Sequence, residues 1–73
     1  VSVTDSGGTI LINDSDSVWY IKKQKASVST NGNNVIIRAD EVHYASFPYT
    51  DFTAPTGASA SAVAAAIEAF LDV

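Results

Sequence analysis

The 73-residue sequence contains no cysteine. A disulfide framework is thereby excluded, and so is any zinc site built on thiolates. Small chains often lean on such cross-links, because a domain of this length buries only about 60% of the surface its unfolded form exposes. Stability must come from packing or from association with another subunit. Positive charge is nearly as scarce. Lys22, Lys23, Lys25 and Arg38 are the only four basic residues, against eight acids, for a net charge of −4. Nucleic acid is therefore not an expected partner, since phosphate binding draws its affinity from Lys and Arg. No apolar run is long enough to span a bilayer. The longest, from Ala62 through Ala66 towards Leu71, is short and is interrupted by Glu68. No membrane partner is expected, and Val1 to Gly8 has no apolar stretch of the secretory-signal kind.

The motifs of catalysis are missing as well. There is no G-x-S-x-G elbow and no glycine-rich phosphate loop. His43 is the single histidine. With Asp40, Glu41 or Asp51 it makes a conceivable acid–base or metal site, but one imidazole with no second soft ligand reads better as a surface or cross-strand residue. Asp14-Ser15-Asp16 resembles the first ligands of a calcium loop, yet the central glycine and terminal glutamate of such a loop are absent. It reads better as a hairpin loop of turn-forming residues. No nucleophile–base pair can be assembled, so we expect no enzyme, no metal and no cofactor.

What is present is a globular composition, 47% hydrophobic, that rules against disorder over most of the chain. Val1 to Gly8 reads as a flexible lead-in to a single domain. Strand signals follow at Thr9–Asn13, Val18–Lys22, Ala26–Thr30, Val35–Ala39 and Val42–Phe47, each rich in β-branched or aromatic residues. Asn31-Gly32 is a strong hairpin signal. Pro48 should end pairing or move it to an edge. Helix is expected over 58–71, with Ser59 or Ser61 as N-cap and Val63, Ile67, Phe70 and Leu71 on one face. The expected fold class is α+β: an antiparallel meander of about five strands over residues 9–52, with one C-terminal helix packed on one face.

Turn chemistry sets an expected register. A two-residue turn at Asn31-Gly32 places Val28 opposite Val35, and one at Asp40-Glu41 places Ile37 opposite Tyr44 and Ala39 opposite Val42. Working backwards, Trp19 faces Val28, Ile12 faces Trp19 and Ile10 faces Ile21. Because side chains alternate with period two, these residues collect on one apolar face that the helix covers. The opposite face carries a stripe of Leu11, Tyr20, Ile36 and Ala45, more apolar than a face left to water. Either strong curvature or the Tyr49–Pro55 segment covers it, or a partner subunit does. The four basic residues cluster at one end of the sheet, with Lys25 and Arg38 opposite each other. Such an end suits an acidic neighbour or the acidic flank of another copy, but an ordinary turn decorated with solvated lysines is the better account. Seven alanines between Ala58 and Ala69 let the helix lie close to the sheet or to a second helix.

The run Phe47-Pro48-Tyr49-Thr50-Asp51-Phe52-Thr53-Ala54-Pro55-Thr56-Gly57-Ala58-Ser59-Ala60, continuing into Val63–Ile67, resembles the end of small structural proteins of tailed bacteriophages. In those proteins a short meander closes with an aromatic–proline segment, a Pro-x-Gly-Ala turn and an alanine-rich helix. The Trp19-Tyr20-Ile21 strand and the Asn31-Gly32 hairpin are similar too. The resemblance implies a minor, capsid-associated protein of the virion, such as a decoration or auxiliary subunit, non-catalytic and acting through protein contacts or homo-oligomerisation. The alternative is a small cytoplasmic adaptor or regulatory module that binds another protein through the same face.

Overall fold

The computed structural model describes residues 1–71. It is α+β, with six antiparallel strands in two three-stranded sheets and a C-terminal helix. The first sheet is the meander β1 (Ser2–Ser6), β2 (Thr9–Asp14) and β3 (Ser17–Lys22). The second is the meander β4 (Ser27–Asn31), β5 (Asn34–Arg38) and β6 (Tyr44–Pro48). A short 3-10 turn at Tyr49–Asp51 precedes α1 (Ala60–Leu71). Asp72, one of the eight acids, lies outside the described residues.

The count exceeds the expected five because Val1–Gly8 is not a loose lead-in. Ser2–Ser6 pairs antiparallel with β2 across a Gly7-Gly8 turn, placing Val3 opposite Ile12. Val3 is buried, and that one apolar anchor in a polar stretch escapes a periodicity search. The far edge of β1 is covered in turn. Val3 N–H donates to the Ala54 carbonyl at 2.6 Å, and Thr53 N–H donates to the Val1 carbonyl at 2.7 Å. The Ala54–Pro55 peptide in this covering segment is cis.

The expected register of β2 and β3 matches the structure, with Ile10 opposite Ile21 and Ile12 opposite Trp19. Three other pairings differ. Trp19 and Val28 are not cross-strand partners, because β3 and β4 belong to different sheets; both pack half-buried against the core. The β4–β5 turn falls on Gly32-Asn33, so Val28 faces Ile37 rather than Val35. Gly32 sits at φ 62°, the left-handed value that a type II′ hairpin requires of its first central residue. The shift is two positions in pairing, so inner and outer faces are preserved. In the last hairpin the slip is one position. Arg38 lies opposite Tyr44 and Ile37 opposite Ala45, which reverses the faces of β6.

The inner faces of the two sheets, Phe52 and one side of α1 meet in a single core. Its fully buried side chains include Ile10, Ile12, Ile21, Val35, Ile37, Val63 and Ile67. Burying each such side chain contributes roughly 1.5–3 kcal/mol. Helix formation follows from alanine content and from Ser59, whose Oγ accepts the Ala62 N–H at 3.2 Å. The helix lies mainly along β4 and β5 and reaches β1. It buries Ala60, Val63, Ala64 and Ile67. Phe70 and Leu71, expected on that face, are partly buried at its margin.

Candidate functional site

The site grows out of one aspartate. Asp40 follows the end of β5, and its carboxylate accepts the backbone N–H groups of Val42 at 2.8 Å and His43 at 2.7 Å. Such local capture competes with a tight two-residue turn. The reversal therefore closes between Ala39 N–H and the His43 carbonyl at 2.9 Å, one residue longer than the Asp40-Glu41 turn expected from composition. That extra residue is the cause of the β6 slip. It turns Ala45 and Phe47 inward and Tyr44 outward, and it lifts Val42 away from the core.

The result is an open hollow of about 660 Å³, lined by Lys25, Ser27, Arg38 and the turn residues Asp40, Glu41, Val42 and His43. Val42 is 75% exposed and Tyr44, beside it, 57% exposed. The Arg38 guanidinium carbon lies 5.3 Å from the centre of the Tyr44 ring, within range of a cation–π contact that holds the charge at the rim. Among the described residues neither Lys25 nor Arg38 is in an ion pair.

His43 Nδ1 lies 3.1 Å from the Asp40 carboxylate. The backbone N–H of His43, that of Val42 and then the imidazole hold Asp40 below the usual carboxylate value of 3.8, at about 2. A carboxylate whose folded pKa is depressed contributes its stabilisation above the unfolded value and loses it as the pH falls through the folded one. The turn should therefore be intact above about pH 3.8 and open as the pH falls towards 2. An NMR titration following the Asp40 carboxyl and the Val42 and His43 amides should show all three moving together near the lower value. An Asp40 midpoint at 3.8 or above would contradict the capped turn.

The residues expected to form one interaction stripe do not share a face. Leu11 and Tyr20 are direct partners on the outer side of the first sheet, half-buried and 68% exposed respectively. Ile36 is half-buried on the outer side of the second sheet, opposite Ser29 and Ser46. Ala45 lies opposite buried Ile37, on the inner side. The basic cluster divides too. Lys25 and Arg38 come together at the hollow, and Lys22 stands opposite Thr9 on the outer side of the first sheet. Lys23 is committed to Asp5 by an ion pair, with only 8% of its side chain exposed. Val42 and Tyr44 were expected in the core. The signal for their true position was Asp40 itself, an Asx-turn residue two and three positions before the amides it binds.

Chemically the hollow offers the cations Lys25 and Arg38, the carboxylates Asp40 and Glu41, the His43 imidazole, the Ser27 hydroxyl and the exposed Val42, with the Tyr44 ring next to Arg38 at its margin; these are the groups of contact recognition. Among the described residues no group of three or more His, Cys, Asp or Glu has the proximity to hold a metal, and no helix is long and apolar enough to cross a membrane. Comparison of the chain with family models, with curated proteins and with solved structures finds no significant match.

Proposed function

We propose that this chain is a non-catalytic structural subunit that works by protein contact, and that it is a minor, capsid-associated protein of a tailed-phage particle. The observation that carries the contact reading is the exposure of Val42, 75%, in the hollow with Lys25 and Arg38, and of Tyr44, 57%, whose ring lies against Arg38. An apolar centre with a polar, charged rim is the anatomy of a docking patch, and Tyr and Arg are the residues that most often dominate binding energy. The virion placement rests on the likeness of the Phe47–Ile67 run to phage structural proteins.

Mass spectrometry of purified particles tests the placement, with the protein expected in stoichiometric amount. A second arm tests the surface. The variant Arg38→Glu/Tyr44→Ala should weaken incorporation roughly thirtyfold or more, the effect of losing about 2 kcal/mol at a binding hot spot, while its melting temperature stays close to that of the parent. Absence from particles would overturn the virion reading in favour of the cytoplasmic adaptor. Normal incorporation of the variant would overturn the hollow as the docking site.

A further inference from the structure

We infer that the free edge of β3 pairs with the same edge of a second copy of this chain, joining two first sheets into one six-stranded sheet about a two-fold axis through Trp19. A three-stranded sheet has two edges, and three of the four in this molecule are blunted. Thr53 and Ala54 cover β1, α1 runs along β4, and β6 ends in Pro48, which has no N–H to offer. Among the described residues β3 has none of these devices. It is six residues of Ser-Val-Trp-Tyr-Ile-Lys without proline, glycine or bulge, the kind of edge that templates pairing with another chain.

The backbone fixes which registers are open. Lys23 N–H donates to the Gly8 carbonyl, so the alternation of an antiparallel ladder turns the N–H and C=O groups of Ile21 and Trp19 towards β2 and those of Val18 and Tyr20 outward. Consistently, the Lys22 carbonyl is used on the outward side, by Lys25 N–H. The outward groups open to a partner strand are those of Val18 and Tyr20 and the Lys22 N–H, and Val18 and Tyr20 are also the exposed apolar residues of the outer face, at 46% and 68%. Two copies with Val18 opposite Tyr20 exchange four backbone hydrogen bonds, and each valine packs on a tyrosine, a favourable cross-strand pair. Half-buried Trp19 falls opposite its own copy on the inner side. Asp16 falls opposite Lys22 at both ends, so in a chain of net charge −4 this register sets unlike charges against each other twice. Moving the axis to Tyr20 sets Lys22 against Val18 and loses both charge pairs. This contact is on the first sheet and is independent of docking at the hollow on the second.

Sedimentation equilibrium of the full chain over a wide concentration range, with the fluorescence of its single tryptophan as a second readout, tests the inference. The expected result is a reversible dimer whose formation shifts the Trp19 emission. Lys22→Asp should weaken the dimer about tenfold, since two attractive pairs become repulsive, and Asp16→Lys/Lys22→Asp should restore it. Tyr20→Pro, which removes an outward N–H, should abolish it. Because that variant risks disturbing β3, circular dichroism must show an unchanged fold before its monomeric state is counted. A strict monomer at every concentration overturns the inference. So does a dimer whose affinity is unmoved by Lys22→Asp, or is not restored by the charge swap, because either places the contact elsewhere.

Discussion

Ile37→Ala should destabilise the protein by about 2–5 kcal/mol, whereas Ile36→Ala, one residue away, should cost about 1 kcal/mol or less. Ile37 is fully buried at the centre of the second sheet, opposite Val28 on one side and Ala45 on the other. Removing three carbons there loses their transfer energy and leaves a cavity walled by strands on both sides, which cannot collapse onto it. Ile36 points outward between Ser29 and Ser46 and is only half-buried, so water fills the space its side chain leaves. A chain of this size begins with a total stability of about 4–11 kcal/mol, at 0.05–0.15 kcal/mol per residue. The first change therefore removes a large share of it, and the second does not. Urea denaturation measures both. Equal losses for the two variants would show that the faces of β5 are misassigned.

Gly57→Ala should cost about 1–3 kcal/mol, a fall in Tm of about 4–8 °C for each kcal/mol in a domain of this length. A Cβ at position 57 would lie 2.8 Å from the Ala62 Cβ and 3.1 Å from the Val63 backbone nitrogen. The obstacle is the first turn of α1, not a flexible side-chain end, so the loop or the helix must move. Moving the loop strains the Ser59 cap on the Ala62 N–H; moving the helix disturbs Val63 and Ile67, both fully buried. Adding Ala62→Gly removes the nearest clash but leaves the backbone contact and adds roughly 0.5–1 kcal/mol of helix cost. The double variant should therefore melt between Gly57→Ala and the parent or close to Gly57→Ala, with a favourable coupling energy in the cycle. A Gly57→Ala protein as stable as the parent would mean the loop lies farther from the helix than 2.8 Å.

What could be read without a structure was local. The inner and outer sides of β2 and β3 follow from period-two alternation bounded by a short loop, and Ile10–Ile21 and Ile12–Trp19 pair as that alternation requires. The helix, its Ser59 cap and its Val63–Ile67 face follow from alanine content and a spacing of four. Three features were decided by contacts distant in sequence or by side-chain capture. β1 is a strand because Val3 finds Ile12 and its edge finds Ala54; no intrinsic preference of Ser-Val-Thr-Asp-Ser demands it. The sheet divides after Lys22, where Lys25 and Ala26 N–H close the turn on the Lys22 and Lys23 carbonyls and Lys23 is held by Asp5. The candidate site exists because Asp40 binds two amides and lengthens a turn by one residue. With a side-chain period of two, that single residue is enough to exchange Tyr44 for Ala45 between core and surface.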